Sequence, residues 1–372
     1  MTGYIRAAQI RLACPDLEAS LRFYTDKLGF SVELVMPADA PSLAVVSAHG
    51  LSLRLEAAAP AGTAVELRLL CDMKTLPAGL ARELTAPEGT RVELVEAEPP
   101  VELPLARQEF VLVRLGDKKA GGWGLGRAGM EYRDLIPGRL GGRFVASQIR
   151  IREGGPVGDW VHYHRIRFQM IYCLKGWVRL VYEDQGEPFI LNEGDCVLQP
   201  PEIRHRVLES SPGLEVIEIG CPAVHETYAD HAMTLPTPAL RPDRRFGAPL
   251  FGGQRFARHM AASAVWSPWR LDGFEARDTG IGAATGGLAG VRVVRPVAGR
   301  SGGASVSHQG EFQFAFVLKG ALMLEGKELG RHRLSAGDCC VIPAGVAHSI
   351  TPEPGLEMLD VTLPADLPLS RG

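Results

Sequence analysis

No C-x-x-C pair occurs anywhere in this chain. Its seven cysteines (Cys14, Cys71, Cys173, Cys196, Cys221, Cys339 and Cys340) are odd in number and scattered, which argues against a thiolate metal site or a disulfide framework and for buried, reduced thiols. Charge of one sign is not in excess either. With 40 Lys and Arg against 43 Asp and Glu, the net charge is -3 and the pI is near 6.4, so there is no bulk electrostatic signal for nucleic acid or an anionic membrane. No apolar run approaches the roughly 20 residues that span a bilayer. The N-terminal MTGYIRAAQIRLACPD lacks a signal-peptide layout, which points to a cytoplasmic protein. What is present is an ordinary globular composition, 46% hydrophobic and 22% charged over 372 residues. That length exceeds what one core usually serves, so two or three domains are expected.

The first hundred residues have a style of their own. IRLACPDLEASLRFYTDKLGFSVEL reads as a strand, a helix led by Asp16 with Leu17, Leu21, Phe23, Tyr24 and Leu28 mostly on one face, a stop at Gly29, and a second strand. SLAVVSA and LSLRLE alternate and add two more strands, giving a β-α-β-β-β unit. The run from Asp16 to Phe30, D-L-x-x-S-x-x-F-Y-x-x-x-L-G-F, resembles the glyoxalase/bleomycin-resistance (vicinal oxygen chelate) family, and the similarity extends over residues 4–97. That family's first metal ligand, a histidine, falls on Gln9 here, while Glu93 matches its closing carboxylate. One carboxylate without a histidine partner makes a poor divalent site. The resemblance therefore implies a small α+β module at residues 1–100 that packs or dimerises and holds no metal.

EAEPPVELPLA and KKAGGWGLGRAG read as a connector over residues 101–124. Beyond it come short alternating strands punctuated by Gly and Pro, such as RFVASQIRIRE, WVRLVYE and LEVIEIG, with no long helix among them. That is the pattern of an antiparallel sandwich or barrel. An internal repeat supplies the count. FQMIYCLKG (Phe168–Gly176) recurs as FQFAFVLKG (Phe312–Gly320), GDCVLQPPEIRH (Gly194–His205) as GDCCVIPAGVAH (Gly337–His348), and PGLEVIEI as PGLEMLDV, always 142 to 144 residues further on. Two copies of one barrel follow from this, at residues 125–230 and 256–372, joined by a Pro/Arg-rich connector at 231–255. The expected fold class is mainly β, with two tandem jelly-roll-type barrels behind the α+β module.

The chemistry gathers in the first barrel. In WVHYHRIRFQMIYCLKG (Trp160–Gly176), His162 and His164 stand two apart on a strand and so face one side. Gln169 follows after a bend, and His205 arrives behind a rigid QPPE turn. Histidine is seldom an ordinary core residue. Three imidazoles and an amide oxygen suit a borderline divalent metal such as Fe, Mn, Ni, Co or Zn. These same residues resemble the cupin superfamily, whose two motifs have the form G-x5-H-x-H-x3or4-E-x6-G and G-x5-P-x-G-x2-H. Gly176 closes the first motif, and Gly194, Pro200 and His205 fit the second.

The resemblance is to a bicupin and covers residues 125–365. It implies His162, His164, Gln169 and His205 as metal ligands, with Fe(II) favoured. Gln169 stands where the family has Glu, and Glu202 where it has Gly. An all-neutral ligand set leaves the ion its full double positive charge, which favours an anionic chelating substrate such as an enolate, a catecholate or an α-keto acid. It also removes the obvious metal-adjacent base. In the second barrel His308, Gln313 and His348 match ligand places, but Val306 replaces the first histidine, so a structural or vestigial half is expected there.

The remaining histidines, His49, His225, His231, His259 and His332, read as surface or capping residues. GGLAG and GRSGG lack the strand-to-helix layout of a phosphate loop, so no nucleotide or flavin cofactor and no nucleic-acid partner is expected. Three functions remain open. The first is a dioxygenase that brings O2 and a small chelating aromatic, enol or dicarbonyl substrate into one coordination sphere. The second is a metal-dependent isomerase or lyase acting on an enolisable carbonyl. The third is a non-catalytic bicupin that binds a small ligand. The family's habit of pairing through exposed sheets implies a homodimer.

Overall fold

The computed structural model describes residues 5–371 except 15, 28, 49, 58–65, 77–78, 80, 86–90, 118–121, 240–250 and 300–302. Leu28, His49 and residues 240–250 of the second connector therefore lie outside the described residues. The chain forms two compact units. One comprises residues 1–102 with the segments 162–165 and 225–231; the other comprises 103–161, 166–224 and 232–372.

In the first unit, strand Ile5–Ala13 leads into the short helix Leu17–Arg22. Asp16 caps that helix, its Oδ1 accepting the Ala19 N–H at 2.8 Å. A turn of π-helix, Phe23–Lys27, precedes Gly29, which takes a left-handed φ of 69° and ends the segment. Strands Ser31–Met36, Leu43–Ala48 and Leu51–Glu56 follow, in the β-α-β-β-β order read from the sequence. Strand alternation sends Leu53 and Leu55 into a core with Ala44, Val46 and Leu17. The strand His162–His164 pairs with Thr227–Ala229, which pairs in turn with Ser31–Met36.

The second unit contains the repeat. Phe168–Lys175, Leu214–Cys221 and Val145–Ile151 lie side by side in one sheet, and Phe312–Lys319, Glu357–Leu363 and Gly290–Pro296 occupy the same places in another. One set of alternate residues from both sheets, including Phe168, Met170, Ile217, Phe312, Phe314 and Leu359, forms a single shared core. Within it Phe144 stacks on Phe312 with ring centroids 4.1 Å apart. The other alternate set faces each barrel's own interior: Cys173 and Val216 are buried there in the first barrel, Ala315 and Met358 in the second.

Each barrel also lends a strand to the other. Val111–Val113, ahead of the first barrel, pairs with Cys339–Val341 of the second, and Ala257–His259, ahead of the second, pairs with Cys196–Leu198 of the first. The segment 101–124, read from sequence as a connector, thus contains a strand of the distant barrel. Three-residue strands whose pairing is non-local leave no periodicity to detect. Arg133, fully buried, ties the two halves, donating to Gln148 Oε1 at 2.7 Å and to the Gly337 carbonyl from both terminal nitrogens at 3.1 Å.

All seven cysteines are buried and unpaired, and burial pushes the Cys173 thiol up to about 12. Among the described residues no helix is long and apolar enough to cross a membrane. The shared core makes a direct prediction. Phe312→Ala should cost about 3–5 kcal/mol of unfolding free energy, read from urea denaturation, whereas a loss under about 1 kcal/mol would contradict a core common to both barrels.

Candidate metal centre

His162 and His164 flank Tyr163 on a three-residue strand, and alternation puts both imidazoles on one face. Their rings meet edge-on, with centroids 5.3 Å apart. Across the pairing, Thr227 lies opposite His164, and its hydroxyl meets His164 Nδ1 at 2.9 Å. That contact makes Nε2 the nitrogen of His164 that can serve as a ligand.

His205 opens the strand His205–Ser210 immediately after the Pro200–Pro201 turn. Its Nδ1 donates to the Ile203 carbonyl at 2.9 Å, which fixes the lone pair on Nε2. Burial pushes His205 down to about 4, so the imidazole is neutral and ready to ligate at ordinary pH. His162, His164, His205 and Gln169 are all buried. The three histidines offer ring nitrogens that all lie within 4.8 Å of one another. Small side-chain adjustments close such a cluster around one ion with bonds of about 2.0–2.1 Å, and a donor set of buried imidazoles fits a divalent metal of the first transition row or zinc.

Gln169 projects from the strand Phe168–Lys175, and its amide nitrogen donates to the Glu218 carboxylate. With the nitrogen so committed, Oε1 is the end of this side chain suited to a cation. Sequence reasoning missed Glu218. The signal was available in the repeat, since PGLEVIEI and PGLEMLDV both place an acid at this position, Glu218 and Asp360. It also missed Arg127 and Asp159, an ion pair beside the site between a half-buried guanidinium and a buried carboxylate. Asp159 binds the Arg127 guanidinium and accepts the Val207 N–H at 2.9 Å, while Arg127 lies 5.0 Å from the Trp160 ring centroid. Left to burial alone Arg127 would lose basicity, but the charge of Asp159 raises it.

One expectation needs correction. His225 was read as a surface or capping residue, but its ring packs edge-on against His164 at 5.3 Å and is half-buried. By contrast, His332 does cap a turn, with Nε2 2.6 Å from the Leu329 carbonyl, and the exposed His231 bonds the Val32 carbonyl. In the first unit, Gln9 donates its amide to Ser52 at 3.4 Å and Glu93 lies 3.4 Å from Arg68.

The second barrel is arranged differently. His308 has both ring nitrogens committed to backbone: Nε2 donates to the Ile342 carbonyl at 3.0 Å, and Nδ1 accepts the Gly310 N–H at 3.1 Å. His348 repeats the His205 contact, its Nδ1 meeting the Val346 carbonyl at 3.0 Å. Burial lowers the basicity of both.

Two predictions follow from the first-barrel geometry. In metal-free protein the unfolded chain protonates His205 near pH 6.5, but the folded chain does so only near 4. Stability should be complete above about pH 6.5 and fall by about 3 kcal/mol as the pH drops to about 4. Urea midpoints of chelator-treated protein across that range test this, and His205→Gln should flatten the slope. The second concerns Gln169→Glu, which from sequence alone would be expected to tighten metal by restoring a carboxylate. The contact with Glu218 changes that expectation, because two touching carboxylates resist joint ionisation. Gln169→Glu/Glu218→Gln should therefore hold metal at least about tenfold more tightly than Gln169→Glu alone, measured by competition with a chromophoric chelator. Equal affinities would show that the contact plays no part.

Comparison with known proteins bears on the whole chain. The Cupin domain family matches residues 149–219 and 292–362, and the Glyoxalase/Bleomycin resistance protein/Dioxygenase superfamily matches residues 6–101. No curated protein matches the chain. Among solved structures, the oxalate decarboxylase of Lactobacillus farciminis in its formate complex is similar with a TM-score of 0.50 and 12% identity, over 74% of this chain and 90% of that one. The Bacillus subtilis oxalate decarboxylase gives 0.49 and 12%, over 70% and 78%. A salicylate 1,2-dioxygenase from Pseudaminobacter salicylatoxidans gives 0.45 and 16%, over 62% and 75%. At 12% identity the first of these speaks for fold alone. With two cupin matches at the spacing of the internal repeat and a glyoxalase match ahead of them, the chain belongs to the bicupins and carries an N-terminal glyoxalase-type domain.

Proposed function

We propose that this protein is a metal-dependent cupin enzyme whose first barrel acts as a dioxygenase on a small chelating substrate, aromatic, enolic or dicarbonyl. The observation that carries this reading is the buried group of His162, His164 and His205, three imidazoles with nitrogens within 4.8 Å. An Fe(II) ion held there, with Mn, Ni, Co or Zn as the other candidates, would supply a centre that binds substrate oxygens and O2 side by side. The chain's own residues set the terms. The Thr227 and Ile203 contacts hold two imidazoles in fixed orientation, burial keeps His205 unprotonated, and Gln169 offers an uncharged oxygen where a carboxylate would have partly neutralised the ion. An uncompensated dication favours an anionic substrate.

A second reading, an isomerase or lyase acting on an enolisable carbonyl, draws support from Glu218. A carboxylate one amide away from the ligand cluster provides an acid-base group, which oxygen insertion does not require. The two readings differ in whether O2 is consumed.

The test is metal content by plasma mass spectrometry on protein purified without chelators, followed by oxygen-electrode assays with catechols, hydroxy-aromatic acids and diketones. The expected outcome is about one equivalent of iron. His162→Ala or His205→Ala should strip it and His348→Ala should leave it in place. Oxygen uptake should depend on the ion. Turnover without oxygen uptake would move the assignment to the isomerase or lyase, and metal-free wild-type protein would leave a ligand-binding bicupin.

A further inference from the structure

The second barrel keeps a cleft that a metal centre in the first barrel does not use. The strand Trp266–Pro268 pairs with Phe274–Asp278, which pairs in turn with Gly290–Pro296. Ala276 and Asp278 follow the buried Phe274 at two-residue steps, and Arg292 precedes the buried Val294 by one such step, so all three project onto the inner face of the barrel. There, with Trp269, Arg270 and residues 365–368, they enclose a cleft of about 350 Å³. That volume falls in the range of small-molecule sites, roughly 300–1,000 Å³. His308, Gln313 and His348 are not among its walls.

Two neighbouring wall residues each hold an N–H without an acceptor. Trp269 is 9% exposed, and its Nε1 is buried with no hydrogen-bond partner; Nε of Arg270 is buried and unpartnered as well. The terminal nitrogens of Arg270 are committed to Asp360, at 2.6 and 2.7 Å. Its guanidinium lies 4.2 Å from the Trp269 ring centroid, which keeps the two side chains together. An indole N–H can only donate. Buried donors of this kind nearly always have an acceptor in a folded protein, so two of them on one cleft wall point to a ligand that brings an oxygen.

Charge narrows the choice of ligand. Arg292 meets Asp278 at 3.0 Å and the fully exposed Asp366 at 3.8 Å, and it donates to the Ala365 carbonyl at 2.9 Å. With Asp360 on Arg270, three carboxylates stand against two guanidinium groups. A further anion would add to that excess of negative charge. Pro268, Leu367 and Pro368 supply apolar wall beside the indole, which suits a flat hydrophobic body.

We propose that this cleft of the second barrel binds an uncharged aromatic carbonyl compound, an amide or a ketone, with its ring among Pro268, Leu367 and Pro368 and its oxygen accepting from Trp269 and Arg270, whose N–H groups turn toward it as it enters. The site takes an organic molecule and no metal. It does not depend on what the first barrel does.

The test is isothermal titration of full-length, chelator-treated protein with benzamide and with benzoate, two molecules of one shape that differ in charge. Benzamide should bind, and benzoate should bind at least about tenfold more weakly. Trp269→Phe keeps an aromatic wall and removes the N–H, so it should lose about 3- to 10-fold in affinity for benzamide. Toluene, which offers no acceptor, should bind this variant as it binds the wild type. Asp366→Asn removes one negative charge at a fully exposed position and should narrow the gap between benzamide and benzoate. No binding of benzamide to the wild type would overturn the proposal, as would benzoate binding equally well, or an equal loss of toluene and benzamide in Trp269→Phe. If Trp269→Phe does not fold, Asp366→Asn decides, and an unchanged gap there would overturn the proposal.

Discussion

A largely buried arginine keeps its charge at any pH the fold survives, and a carboxylate is the partner that compensates that charge most fully. In the first barrel Arg127 pairs with Asp159, and the Gln169 amide donates to Glu218 beside the three imidazoles. In the second barrel Arg270 pairs with Asp360 through both terminal nitrogens. Two copies of one sequence pattern thus pair their arginines with acids from different places in the chain.

The second barrel still has work that the first depends on. Its leading strand, Ala257–His259, completes the sheet beside Cys196–Leu198, the strand that runs into the turn carrying His205. In exchange Val111–Val113 closes the sheet of the second barrel, and Arg133 and the stacked Phe144 and Phe312 fill the join. Loss of either copy would expose a shared apolar core and leave a sheet edge unpaired. That is a physical reason for retaining a barrel whose own ligand places are incomplete.

Much of this was legible in the sequence because it is local. The strand period alone places His162 and His164 on one face; the Asp16 cap, the Gly29 stop and the 142- to 144-residue repeat are read directly from residue order. Contacts between distant segments were not legible. The three-residue strand at 111–113 pairs more than 200 residues away, so its glycine- and proline-rich surroundings looked like a connector. His225 looked like a loop residue because only the pairing of Thr227–Ala229 with His162–His164 brings it against His164. Glu218 and Asp159 carry no spacing signal, and their roles appear only once the barrel has closed. The repeat did hold a usable clue, since an acid survives at 218 and 360 while the aspartate at 159 becomes a glycine at 303.

The central claim is that one barrel, and one only, is built to hold a divalent ion. Its most direct test is the stoichiometry of metal bound at saturation, by equilibrium dialysis of the full-length wild-type protein against Fe(II) or Co(II) followed by plasma mass spectrometry. The account predicts one tightly held ion per chain. Two ions of similar affinity would contradict the reading of the second barrel as incomplete, with both ring nitrogens of His308 committed to backbone, and none would contradict the metal centre itself.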